Sequence, residues 1–239
     1  MSLRSVVNGI ALRLLRPPHI RCLLELAPGA AVLDIGCGNH SPTRTKDLRP
    51  DIVYVGVDVE EYNLSPADHQ AADELVILPV TGYAQHLRDR FKGRRFDLIY
   101  LKHVIEHTRQ PYELLAALEE LLADHGRVYL SFPSEASVAF PRAQNTLNFY
   151  DDPGHVWIPS VREILNHLVS GTLRPVLVQT RHRHPLYAVG GVLHLALQLA
   201  AWPWRRRLTS SSVIWSLYGF ESILVLEKAA SGPALAVQG

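Results

Sequence analysis

Cysteine is scarce: Cys22 and Cys37 are the only two in 239 residues. Two thiols cannot build a disulfide framework or a cysteine-only zinc site. Nothing therefore demands an oxidising compartment, and a cytoplasmic setting is expected. Net charge is almost absent, with 24 Lys+Arg against 23 Asp+Glu for a balance of +1. That excludes a globally basic nucleic-acid binder, though not a local basic patch, and no nucleic-acid partner is expected. There is no repeat, no low-complexity block, and no N-terminal apolar run closed by a small-residue cleavage site, so no secretory leader is expected. What is present suffices for a core. A chain with 47% hydrophobic and 20% charged residues is not disordered as a whole. Its length suits one large α/β domain or two small ones.

Short, nearly continuous apolar runs recur at 31–36 (AVLDIG), 52–58 (IVYVGVD), 75–80 (LVILPV), 96–101 (FDLIYL) and 127–132 (RVYLSF). Runs of this kind suit strands buried on both faces of a sheet. Helical patterns lie between them. The clearest, 111–123, has Pro111 in its first turn and Gly126 after its end. A second, 160–169, has Ser160 and Glu163 at capping-box spacing. Two late strands are predicted at 173–180 and 221–228. The alternation of strands and helices predicts a doubly wound, largely parallel sheet.

After the first strand the chain reads Asp34-Ile35-Gly36-Cys37-Gly38-Asn39. Two glycines allow a sharp turn and a close backbone approach to a ligand. About 20 residues further on, Asp58 ends the second strand, where a carboxylate can accept both hydroxyls of a ribose. A dinucleotide fingerprint would place Gly at position 41, but Ser41 and Pro42 stand there. Asp34 would repel a pyrophosphate and attract a cationic amino-acid group. The turn therefore favours S-adenosylmethionine over NAD; an ordinary strand–helix turn is the bland alternative.

With these residues in place, the chain resembles the class I S-adenosylmethionine-dependent methyltransferases over about residues 20–180 and the final strand. VLDIGCGN, VGVDV, FDLIYLKHVIEH and GRVYLSFPS carry the resemblance. It implies a Rossmann-like α/β fold. The seven-stranded sheet would have the order 3-2-1-4-5-7-6, with strand 7 antiparallel and helices on both faces. It implies that Asp34, Gly36 and Gly38 line the methionine end, with Cys37 and Asn39 in the same turn. Asp58 would hold the ribose and Val59 pack on the adenine. One departure stands out. Many relatives carry an acidic residue after strand 3, where this chain reads Pro79-Val80-Thr81-Gly82.

His103, Glu106 and His107 follow the fourth strand at i, i+3 and i+4, the spacing of one helical face. A polar loop from Asn148 to His155 follows the fifth. Three readings compete. In the first, His103 or His107 is the general base and His155 supports the acceptor. In the second, His103, Glu106, His107 and His155 bind a divalent metal. This arrangement resembles the ExxEH…H pattern of metal-dependent small-RNA 2′-O-methyltransferases, and three imidazoles would favour Zn²⁺, Mn²⁺ or Fe²⁺ over Mg²⁺. In the third, Glu106 and His107 only shape the cofactor pocket, and His155, set against Trp157, orders its loop. The segment 132–159 resembles bacterial methyltransferases of surface-polysaccharide and sugar-modification pathways. That implies a saccharide or glycolipid acceptor, with Asn145, Asn148, Tyr150, Asp151 and Asp152 as candidate partners for sugar hydroxyls. Ordinary turn chemistry is the alternative for that loop.

Residues 186–204 run without a charge, and Arg205, Arg206 and Arg207 follow. No Asp or Glu lies between Ile164 and Phe220, but six Arg do. A membrane span is disfavoured by Gly190, Gly191, His194, Gln198 and Pro203. The stretch is expected to be a buried or dimer-forming helix, or an interfacial one reaching a membrane through 186–207. The organisation expected is one methyltransferase domain over 1–239, with a cap helix at 1–20 and a helical insert at 184–219. Two functions are carried forward. One is an S-adenosylmethionine-dependent methyltransferase acting on a hydroxyl of a saccharide or lipid-linked sugar. The other is a non-catalytic, cofactor-binding or membrane-peripheral module.

Overall fold

The computed structural model describes residues 16–140, 142, 147–168, 171–183, 185–200 and 215–229. Its strands are β1 (Ala31–Ile35), β2 (Val53–Asp58), β3 (Glu74–Ile77), β4 (Phe96–Lys102), β5 (Leu122–Pro133), β6 (Leu173–His182) and β7 (Glu221–Lys228). They form one sheet in the order β3-β2-β1-β4-β5-β7-β6. β1 to β5 pair in parallel, and β7 runs antiparallel to both β5 and β6. This is the topology that the resemblance implied.

The helices are α1 (Pro18–Leu24), α2 (Ser41–Leu48), α3 (Pro66–Ala71), α4 (Tyr83–Arg90), α5 (Pro111–Leu121), α6 (Val161–Leu168) and α7 (Pro185–Ala200). Side chains alternate across each strand, so the apolar runs feed two cores at once. Leu33, Ile35, Ile99, Leu101, Val128 and Leu130 share one core with Leu87 of α4, Leu114 and Leu118 of α5, and Ile164 of α6. Val32, Leu98, Tyr100, Tyr129, Ile223 and Val225 share the other with Cys22 and Leu23 of α1. Burial on both faces explains why these strands read as continuous apolar runs.

Two boundaries differ from expectation. β3 stops at Ile77, before Pro79, which has no N–H for a ladder bond. α5 passes directly into β5 at Leu122, so Gly126 lies inside a strand irregularity rather than after a helix. A Cβ at Gly126 would lie 2.9 Å from the carbonyl oxygens of Ala123 and Phe96, so the close backbone approach requires glycine. Of the region expected to form a helical insert, α7 and a π-helical turn at Trp215–Gly219 are described. Among the described residues no helix is long and apolar enough to cross a membrane. Most of the expected cap helix, and Trp202, Trp204 and Arg205–Arg207, lie outside the described residues.

Candidate functional site

The carboxyl ends of β1, β2 and β4 meet at the Gly-rich turn. Gly36 leaves β1 with φ +76°, and a Cβ there would collide with the Val104 side chain. Gly38 is just as confined: a Cβ would lie 2.7 Å from the Tyr62 carbonyl oxygen. Asn39 and His40 continue in the left-handed region, at φ 55° and 59°. The turn is held across the strands by Asp58. Its carboxylate accepts from the Gly38 amide at 3.1 Å and from the Val59 amide at 2.7 Å. The Asp68 carboxylate, fully buried, fastens the chain that follows β2 to α2. It accepts from the Ser65 and Thr43 hydroxyls, both at 2.6 Å, and lies 2.8 Å from His40 Nδ1. Burial alone would raise the Asp68 pKa, but these donors from Ser65, Thr43 and His40 hold it well below the usual carboxylate range.

Asp34, in β1, is fully buried. Its Oδ2 accepts from the Ser41 hydroxyl at 2.5 Å and the Tyr54 hydroxyl at 2.8 Å. Lys102 Nζ lies 3.5 Å from the same oxygen and donates to Ser41 Oγ at 3.1 Å. The other oxygen, Oδ1, has no hydrogen-bond partner. A carboxylate removed from water with one oxygen unpaired is costly unless something completes it, and a cationic or N–H-bearing ligand would do so. Ser41, where a dinucleotide fingerprint would have glycine, supplies a hydroxyl that the Asp34 carboxylate needs. Burial, aided by Asp34 and Asp58, pushes the Cys37 thiol up to about 12, so Cys37 contributes packing under the turn and not thiolate chemistry.

At the end of β4, His103 adopts φ 53° and projects between two carboxylates. Its Nδ1 is 3.2 Å from Glu106 Oε1, and its Nε2 is 3.4 Å from Glu221 Oε1 at the start of β7. The ring stacks on Phe220, with centroids 5.8 Å apart. Burial pulls the imidazole pKa down, but Glu106 and Glu221 outweigh it and raise it to about 10. For Glu221, burial works against ionisation, and its bond to His103 still carries its pKa below the ordinary value. His103 is thus an imidazolium that ties β4 to β7. That arrangement goes against the expectation that it accepts a proton.

Glu106, His107 and His155 converge, with one ligand atom from each within 4.8 Å of the others. Glu106 is fully buried, and its Oε2 has no hydrogen-bond partner. Its backbone carbonyl accepts from the Val156 and Trp157 amides, which holds the His155 loop against β4. His155 Nδ1 donates to the Phe149 carbonyl at 2.6 Å, and its Nε2 lies 3.8 Å from Asp152 Oδ2. The His155 ring packs on Phe149 and His107, at 4.5 and 4.8 Å between centroids. Trp157 meets Tyr112 instead, so the expected pairing of His155 with Trp157 gives way to a His155–His107 contact. His107 is exposed to solvent.

The polar loop divides. Asn148 is buried and consumed by the fold: its amide nitrogen donates to the Phe140 and Val138 carbonyls, and its oxygen accepts from the Tyr150 amide. Asp151 closes a capping box with Asn148. Only Asn148 is withdrawn from a ligand in this way; Tyr150, Asp151 and Asp152 are exposed. Asn145 lies outside the described residues. Sequence reasoning missed Lys102, Tyr54, Asp68 and Glu221. The Ser65-Pro66-Ala67-Asp68 spacing was a readable capping signal. Nothing local announces that Glu221, 118 positions from His103, reaches it.

Comparison with known proteins bears on this geometry. A family model described as a methyltransferase domain matches residues 8–170. The 27-O-demethylrifamycin SV methyltransferase of Amycolatopsis mediterranei (strain S699) is 24% identical over 124 residues, 48% of this chain and 44% of that protein. The ubiquinone biosynthesis O-methyltransferase of Bartonella quintana (strain Toulouse) is 33% identical over 101 residues, 42% of this chain and 40% of that protein. The matched stretches thus span less than half of each curated relative. The crystal structure of an S-adenosylmethionine-dependent methyltransferase from Mesorhizobium loti aligns with a TM-score of 0.59 over 88% of this chain and 96% of that one. At 15% identity, that likeness is one of fold.

The His103 clamp has a pH signature. Because its pKa is raised from 6.5 to about 10, its contribution to stability is complete below about pH 6.5 and is lost as pH rises through about 10. Thermal melts across that window should show a decline in the parent chain. The decline should be absent in His103→Gln; an unchanged alkaline slope in the variant would refute the clamp.

Proposed function

The chain belongs to the methyltransferase domain family, with S-adenosylmethionine as its cofactor, and from that premise we propose that it methylates a hydroxyl group of a saccharide or lipid-linked sugar. The carboxyl edge of the sheet suits the cofactor. Asp34 Oδ1 is a buried acceptor awaiting a donor, placed to meet the cationic amino-acid end. Gly36 and Gly38 let the turn fold tightly against Val104 and Tyr62, where a Cβ would clash. Asp58, already oriented by two amides, keeps lone pairs for ribose hydroxyls. Val59, Ile77 and Val80 are exposed apolar side chains beyond β2 and β3, suited to cover an adenine ring in place of the missing acidic partner.

When bound, S-adenosylmethionine supplies a methyl group on a cationic sulfur, which an acceptor oxygen takes as the neutral thioether departs. The chain's residues have to orient the acceptor and remove its proton. The observation that carries the assignment is the contrast between two histidines. His103 is held protonated by Glu106 and Glu221, while His107 faces solvent at the same edge with its ring against His155. His107 is therefore the proton acceptor, and His155 and the buried Glu106 position it and stabilise the imidazolium that forms. Two curated relatives whose names specify O-methylation support oxygen as the acceptor atom. The exposed Tyr150 and Asp152 can donate to and accept from sugar hydroxyls.

A second reading rests on the unpaired Glu106 Oε2 beside His107 and His155. One carboxylate and two imidazoles are a ligand set for a divalent transition metal, which would lower the pKa of an acceptor hydroxyl.

Three measurements test these assignments. Calorimetric titration with S-adenosylmethionine should show binding to the parent chain that weakens strongly in Asp58→Ala; no binding to the parent would remove the proposal. His107→Ala should bind the cofactor nearly as the parent does yet turn over ~10²–10⁴ more slowly, whereas retained turnover would reduce His107 to a packing residue. Turnover unchanged by exhaustive chelation would discard the metal, and loss restored by Zn²⁺ or Mn²⁺ would establish it.

A further inference from the structure

Helix α7 is apolar on the wrong side for a core helix. Val189, Val192, Leu193 and Leu197 follow the pattern i, i+3, i+4, i+8, so they share one face. They are exposed at 60%, 55%, 61% and 70% respectively. The inward side is made by smaller or partly covered positions, with Gly191 buried and Leu195 half-buried. No residue of α7 carries a formal charge at neutral pH when His194 is neutral. Nearby, the edge strand β6 exposes Val176 and Val178 together with Arg174 and Arg181, and Arg183 is exposed just before α7. A contiguous exposed apolar face in a water-soluble fold marks an interaction surface.

The charge pattern decides which partner fits. From residue 165 to 219 there is no Asp or Glu and there are six Arg, three before α7 and three at 205–207. An anionic lipid surface accepts apolar side chains at its acyl boundary and holds flanking arginines at its headgroups. Among the described residues the helix is too short to span: 16 residues rise about 24 Å, against a hydrocarbon core of about 30 Å. We propose that α7 lies flat on an anionic membrane surface, with Val189, Val192, Leu193 and Leu197 inserted and the exposed Arg181 and Arg183 that precede it at the headgroups.

The location suits the chemistry. The Trp215–Gly219 turn packs against α7 and leads at once into Phe220 and Glu221, the two residues that stack on and pair with His103. Ser134 binds that junction through the Gly219 and Phe220 carbonyls. The proposed surface is thus adjacent in the chain to the reactive edge, where a lipid-linked acceptor would be presented. The docking does not itself rest on the methyl-transfer reading, and the experiment keeps the two apart.

The full chain is sedimented with vesicles of phosphatidylcholine alone and with vesicles containing phosphatidylglycerol, at low and high salt. Binding should require the anionic lipid and weaken with salt. Leu193→Glu and Leu197→Glu should each lower vesicle affinity by roughly tenfold or more. Both side chains are exposed, so S-adenosylmethionine binding by calorimetry should be unaltered; this also shows that the variants fold. Three results would overturn the proposal. One is no binding to anionic vesicles; another is equal binding by parent and variants. The third is a concentration-dependent dimer without lipid that Leu193→Glu dissociates, which would assign the face to a second copy of the chain.

Discussion

A carboxylate buried at the end of a central strand has to be satisfied by its surroundings, because the cost of removing it from water is several kcal/mol. Asp34 sets that condition for the whole carboxyl edge of this sheet. Tyr54 from β2, Ser41 from α2 and Lys102 from β4 converge on one of its oxygens. Three elements are thereby locked around the Gly-rich turn. The second oxygen is buried without a hydrogen-bond partner.

The histidines show how environment separates roles among identical side chains. His103 and His107 are four positions apart and leave the same strand end. Two carboxylates hold His103 protonated, so it acts as a cationic strut between β4 and β7. His107 instead faces solvent against the ring of His155. Glu106 links the two histidines, since one of its oxygens is engaged by His103 and the residue also clusters with His107 and His155. The same clamp connects the site to the chain segment that follows α7, because Phe220 and Glu221 are its far side.

Much of this was readable from local pattern. The continuous apolar runs announced strands covered on both faces, and the Gly-x-Gly turn with Asp58 announced an adenosyl-type ligand. The alternation of strands with Pro-started helices announced the winding. What escaped involved side chains brought together from distant positions. Lys102 drew no attention in the sequence, yet its ammonium lies 3.5 Å from Asp34. Asn148 looked like a sugar ligand, yet the Phe140 and Val138 carbonyls consume it. His155 was expected beside Trp157 because the two are neighbours in sequence, and packing instead turned its ring toward Phe149 and His107.

Periodicity and glycine placement suffice to define the strands, the helices and the Gly-rich turn, because these depend on backbone sterics and on which residues must leave water, both local properties of the chain; the sheet order came from the resemblance to a known family. The protonation state of His103, the unpaired oxygens of Asp34 and Glu106, and the outward apolar face of α7 were decided only by assembly. Each depends on which groups from remote segments arrive within a few ångströms, and electrostatic coupling and burial at that range cannot be inferred from spacing along the chain.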